Sequence, residues 1–142
     1  MPALIIGIVV AIYVIARFKK NRLEKGKLAY PLLLATFPVY YWVFAIYGSD
    51  YDALLAEALI GVLFIGISLA AYQSQRKVSL ILLGFGYIGH AIYDAVHDSL
   101  FINAGTPTWW PEFCGAVDIL IGIYIVYLAT TTQPRVSSKD IA

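Results

Sequence analysis

The sequence predicts an all-α integral membrane protein, a bundle of five transmembrane helices, and three observations carry that expectation. Apolar residues make up 61% of the 142-residue chain and charged residues only 13%, where soluble domains carry about 25% charged residues. Mean hydropathy is +0.77, and the apolar residues fall in five stretches, most of them near the ~20 residues that a spanning helix needs. All ten lysines and arginines lie in the segments that follow the first, third and fifth stretches. By the positive-inside tendency this puts the N-terminus outside and the C-terminus inside.

The expected spans are 3–17, 28–48, 53–73, 78–97 and 113–131, forming one transmembrane domain over 1–132 with a cytoplasmic polar tail at 133–142. The first stretch is short, so flanking residues or local bilayer thinning must complete it. It ends in a cationic run holding Arg17, Lys19, Lys20, Arg22, Lys25 and Lys27. Its cations follow the apolar run rather than precede it, unlike a cleaved signal peptide. The second span contains Pro31 in its first turn, where a missing N–H costs little, and Pro38 in its interior, where a kink is expected. Arg76 and Lys77 follow the third span, and Arg135 and Lys139 follow the fifth. The one long connection is the outer loop 98–113, which has no cation. Its Trp109 and Trp110, with Trp42 and Tyr47 on the second span, suit the interfacial aromatic belt.

Gly84, Gly86 and Gly89 match G-x-G-x-x-G, a pattern that binds dinucleotides when it joins a strand to a helix and an acid follows about 20 residues on. Residues 101–111 hold no acid, and in a membrane helix the same glycines let neighbouring backbones approach. The basic run is explained by topology, so no nucleic-acid partner is expected. A single cysteine, Cys114, allows no intrachain disulfide.

The chemistry-bearing residues gather in the outward halves of the last three spans. His90, Asp94 and His97 are spaced i, i+4, i+7 and stack on one helix face. Asp118 lies on the fifth span and Glu57 on the third, at similar depth, while Asp98 and Glu112 read as solvated rim residues. Tyr87 and Tyr93 read as packing residues. A charge at membrane depth costs roughly 2.5–3.5 kcal/mol on the insertion scale, so these groups need partners, water or a metal ion. Imidazole with carboxylate suits a divalent metal ion, zinc first, with iron, copper or manganese also fitting. The expected ligands are His90, Asp94, His97 and Asp118. Cys114, one turn before Asp118, is within reach but reads as a small packing residue. Asp118 or Glu57, where not a ligand, would be the catalytic base.

Apolar walls at that depth favour a lipid or another hydrophobic substrate, which makes a membrane-embedded metal-dependent hydrolase or oxidoreductase the first expectation. Two others stay open. A proton- or cation-coupled transporter would need a homo-oligomer to enclose its path, and no acid or histidine continues the path through the inward half of any span. An accessory subunit would use the polar groups only to hold helices together. The segment His90-x3-Asp94-x2-His97, followed by Asp118 in FCGAVDILIGIY, resembles a pattern in small, functionally uncharacterised bacterial multi-pass membrane proteins. That resemblance covers about the last 50 residues. It implies that His90, Asp94, His97 and Asp118 belong together, and a bacterial inner membrane is the expected location.

Overall fold

The computed structural model describes residues 1–132, and the expected tail with Arg135 and Lys139 lies outside them. Five helices are long and apolar enough to cross a membrane: α1 (Pro2–Lys20), α2 (Ala29–Tyr47), α3 (Tyr51–Gln73), α4 (Arg76–Leu100) and α5 (Trp110–Thr131). All but α2, which falls one residue short at each end of 28–48, begin or end beyond their expected bounds. The first stretch gains a turn because the stems of Arg17, Lys19 and Lys20 continue the helix while their heads reach for water. Pro2 and Pro111 sit in the first turns of α1 and α5, where a proline fits without losing a bond. The outer connection shrinks accordingly to residues 101–109, since α4 runs on to Leu100 and α5 starts at Trp110.

Short turns force sequence neighbours α2, α3 and α4 to pack antiparallel. Residues 48–50 make the first of these turns, and the Asp50 carboxylate caps α3 by accepting from the Ala53 amide at 3.0 Å. Asp52 then lies in the first turn of α3, where the helix dipole favours a negative charge. The second turn, 74–75, is tied to the α1–α2 connection by Arg76, whose Nη1 donates to the Gly26 carbonyl at 3.4 Å. The Phe18 and Tyr30 rings meet there at 5.1 Å.

The helices follow one another around the bundle in the order α2, α3, α4, α5, α1, so the first and last helices are neighbours. α1 and α5 run parallel: Gly7 faces Phe113 and Ala116 near both starts, and Tyr124 donates to Glu24 at 2.7 Å near both ends. α4 lies between α3 and α5 and also touches α2, and it carries more buried residues than any other helix. Large apolar side chains such as Ile5, Leu59, Phe85 and Tyr127 are exposed on the outside, facing lipid. Within lipid, helices hold together by close packing and interhelical hydrogen bonds rather than by a hydrophobic drive. Among the described residues, every lysine and arginine lies at the end of the bundle formed by the 21–28 and 74–75 connections. The carboxylates and histidines of α3, α4 and α5 lie in the opposite half.

The G-x-G-x-x-G run lies wholly inside α4 and is a packing seam. A Cβ on Gly84 would meet Val126 at 2.7 Å and one on Gly86 would meet Leu34 at 2.6 Å. Gly122 on α5 is tighter still in its consequences, because its Cβ would press on Ile88 Cγ1 at 2.8 Å and on the Ile88 backbone nitrogen at 3.2 Å. Gly66 on α3 has open space around it. Gly122→Val is therefore expected to destabilise the protein by about 1–3 kcal/mol, the usual range for overpacking. Gly66→Ala is expected to leave stability unchanged or slightly raised. Thermal unfolding of both variants in detergent tests the pair, and equal melting temperatures would contradict the packing seam.

Candidate metal centre

Four buried side chains from two facing helices converge where α4 and α5 pack. His90 and Asp94 stand one turn apart on α4, and Cys114 and Asp118 stand one turn apart on α5, so each pair sits on one helix face. The two faces meet because the residues between them are small: a Cβ on Gly115 would already touch Asp94 Cβ at 3.5 Å and the Ala91 carbonyl at 3.7 Å. His90 Nδ1 lies 2.8 Å from Asp118 Oδ2 and 3.4 Å from Asp94 Oδ2. The Cys114 thiol lies 4.0 Å from Asp118 Oδ2. One donor atom from each of the four falls within 4.8 Å of all the others.

Burial makes this cluster demanding. His90 and Asp118 are 0% exposed, Asp94 2% and Cys114 3%. Tyr41 on α2 donates to Asp94 Oδ1 at 2.8 Å, but Asp94 Oδ2, Asp118 Oδ1 and His90 Nε2 have no hydrogen-bond partner. An unpaired buried polar atom costs about 1–3 kcal/mol, and more when the group is charged. A metal ion would relieve the two carboxylate oxygens, and the spacing suits one. Zinc bonds of roughly 2.0–2.3 Å at tetrahedral angles place donors about 3.3–3.8 Å apart. The 3.4 Å from His90 Nδ1 to Asp94 Oδ2 falls in that range, the 4.0 Å thiol separation lies just above it, and the 2.8 Å His90–Asp118 hydrogen bond would open to admit the ion. Phe37 and Phe64 close the site from α2 and α3, with ring centroids 5.6 and 4.7 Å from the His90 ring.

His97 does not join this group. At seven residues beyond His90 it shares the helix face but stands roughly 10 Å further along the axis, too far to share one ion. It anchors a second network instead. Its Nε2 is 2.9 Å from Glu57 Oε1, its Nδ1 is 2.8 Å from Asp98 Oδ1, and its ring stacks on Tyr41 at 4.6 Å. Glu57, 2% exposed, also accepts from the Tyr93 hydroxyl at 2.6 Å and from Asn103 Nδ2 at 3.2 Å. Glu57 thus has three partners on its two oxygens and is not among the four donors that converge. Asp118, the other residue expected to serve as base, lies inside that cluster, where it is a candidate ligand.

Two residues of this half were not foreseen in these positions. Cys114 takes the place expected of His97, and the signal for it was present: Cys114-x3-Asp118 repeats on α5 the one-turn spacing of His90-x3-Asp94 on α4. Asn103 carried no signal, because a loop residue's partners are set by tertiary structure. Trp42, expected in the aromatic belt, packs against Gly61 and donates to the Glu57 carbonyl at 3.0 Å. Trp109 remains half exposed at the outer end. Tyr87 is a packing residue as expected, donating to the Tyr30 carbonyl at 2.8 Å.

A cleft of about 600 Å³ lies over this cluster, which stays closed beneath it, the Asp94 side chain being 0% exposed. It runs between α1, α4 and α5, with Asp94 in its lining and Asp98 and Glu112 at its rim. Together, fold and site define a multi-helix membrane protein with a buried His/Asp/Cys/Asp group able to hold a metal ion. Compared with known proteins, the chain matches no family model, no curated protein and no solved structure.

Asn103 also donates to the Tyr41 carbonyl at 3.2 Å, so it fastens the outer loop to both α2 and α3. Asn103→Ala is expected to lower stability by about 1–3 kcal/mol, the cost of leaving buried acceptors short of a donor. It should also raise hydrogen exchange across residues 101–109. Unchanged exchange in that loop would show that its seating does not depend on Asn103.

Proposed function

We propose that this protein binds one divalent metal ion, zinc before any other, through His90, Asp94, Cys114 and Asp118. In this reading the site lies in the outward half of the bilayer, with the N-terminus outside and the C-terminus inside. The observation that carries the proposal is the convergence of four donors, almost fully buried, with two carboxylate oxygens left without partners. The donor set argues for the element. One thiolate and one imidazole favour zinc over manganese or magnesium, and two carboxylates keep the site harder than a structural four-cysteine site. The separation of the described cations from the acids supports the orientation. The H-x3-D-x2-H resemblance groups three of these residues, and on that basis we place the protein in a bacterial inner membrane.

The activity we propose is metal-dependent hydrolysis of a lipid or other hydrophobic molecule that enters from the bilayer; an oxidation would need iron or copper in place of redox-inert zinc, with dioxygen as oxidant. When bound, a metal ion would supply a Lewis acid able to polarise a carbonyl or phosphoryl oxygen or activate a water, provided that one of the four donors yields its place or a fifth position opens on the cleft side, where Asp94 lies. The chain's own part is to orient and shield. Tyr41 fixes the Asp94 carboxylate, Phe37 and Phe64 keep water from the inner side, and the cleft brings a substrate to lie over Asp94. A conduit for protons or cations is the weaker reading, because among the described residues no aspartate, glutamate or histidine lies in the other half of any helix. The outer His97–Glu57 network therefore leads inward and stops.

Elemental analysis of protein purified in mild detergent is expected to find close to one zinc per chain. His90→Ala, Cys114→Ala and Asp118→Ala should each lose most of it, while His97→Ala retains it. Loss in His97→Ala with retention in Cys114→Ala would reverse the ligand assignment, and absence of metal in wild type grown with added zinc would overturn the proposal. Cobalt substitution adds a direct readout, a sulfur-to-cobalt charge-transfer band that Cys114→Ser abolishes. For the orientation, a reporter fused at the N-terminus is expected to be accessible from outside intact cells. Accessibility only after lysis would invert it.

A further inference from the structure

The cleft above the metal cluster has a chemical character of its own. Its walls are apolar: Leu4 from α1, Ile92 and Ala95 from α4, and Ile119 from α5. Leu4, Ile92 and Ile119 are also 39%, 59% and 37% exposed on the outside of the bundle, so the cleft opens towards lipid as well as water. Its volume of about 600 Å³ falls in the ordinary range for small-molecule sites, roughly 300–1,000 Å³. Its polar side chains carry one sign of charge. Asp94, Asp98 and Glu112 line it, with Thr108, and no lysine, arginine or histidine does.

The three carboxylates are not equally available. Glu112 already holds the Met1 amino group at 2.8 and 3.1 Å. Asp98 gives one oxygen to His97 but its side chain is 74% exposed. Asp94 is buried, and its Oδ2 has no hydrogen-bond partner. Asp98 stands one helical turn, roughly 6 Å, above Asp94 on the same face. The Met1 ammonium offsets Glu112, which leaves Asp98 as the exposed carboxylate of this rim, and an anionic or neutral headgroup would make no ion pair with it. A cation is drawn to it, because a cleft lined by one sign of charge with low-dielectric walls concentrates the opposite sign.

We infer that the cleft binds an amphiphile with an ammonium head and a single apolar tail. The ammonium sits at the exposed Asp98 carboxylate, and the tail lies along Ile92, Leu4 and Ile119 towards the bilayer interior. The atoms next to the amine then lie over the buried Asp94, one turn below. This names the substrate class of the proposed metal site and in that respect rests on it, but the binding itself depends only on the cleft and its carboxylates.

The test uses the full chain in nanodiscs of zwitterionic lipid, labelled with a diazirine-bearing dodecylamine. Unlabelled dodecylamine, dodecanol and dodecanoate compete, and labelled peptides are counted by mass spectrometry. Dodecylamine is expected to compete at least about tenfold better than dodecanol, with dodecanoate weakest, and label should fall on α4 and α5 around the cleft. Asp98→Asn, which keeps the side chain's shape, should cut the preference for the amine by about tenfold, equivalent to about 1.4 kcal/mol. Ala95→Phe, which fills the cleft, should abolish labelling there. Equal competition by all three headgroups, or wild-type labelling in Ala95→Phe, overturns the inference. If Ala95→Phe does not fold, Asp98→Asn decides alone, an unchanged preference counting against it. Zinc content measured on the same samples separates the two proposals. Zinc-loaded protein without headgroup preference sinks the cleft inference only, and zinc-free protein with the preference upholds it while the metal reading falls.

Discussion

The structure turns on the contact between α4 and α5. Each helix presents a pair of ionisable or metal-binding side chains one turn apart, and small residues let the two faces close to within a few ångströms. Neither pair is tolerable alone in an apolar bundle, where an isolated charge is costly by any scale. Bringing the pairs together converts two liabilities into one site. The surrounding architecture serves that contact: α2 supplies Tyr41 to one carboxylate, and α2 and α3 seal the imidazole with aromatic rings.

The two polar networks divide the work between them. The outer one, centred on Glu57, satisfies nearly every group it contains and joins α3, α4 and the outer loop. The inner one, centred on His90 and Asp118, leaves polar atoms over. In folded proteins buried polar groups are nearly always paired, so an excess of unpaired ones calls for a specific explanation. A saturated network thus stands beside an unsaturated one, and only the second has polar atoms to spare.

Much of this was legible in the chain. Five helices followed from apolar stretches of span length, and the placement of the outer acids and histidines in one half followed from their positions relative to helix ends. Helix bounds were read too short because terminal turns at Lys20, Arg76 and Leu100 carry polar side chains that reach back to water. The site was half legible. Helical periodicity reports which face a residue occupies but not which partner helix it meets, so His97 read as a companion of His90 although it stands two turns away. Cys114 read as a small packing residue, since a lone thiol gains meaning only from the carboxylate one turn along and the pair on the facing helix. Asn103 has its partners in other elements and could not have been found in the sequence.

The neighbouring of α1 and α5 sets an order on biogenesis. The bundle cannot close until the last helix arrives, and that helix brings Cys114 and Asp118. At about 5–20 residues per second, translating from Asp94 to Asp118 takes roughly 1–5 s. For that interval His90 and Asp94 are made but lack their facing pair. An insertion machinery that shelters α4 from lipid until α5 is delivered would spare the nascent chain a charge exposed at bilayer depth. The four-donor group, by the same timing, is complete only once α5 has been translated.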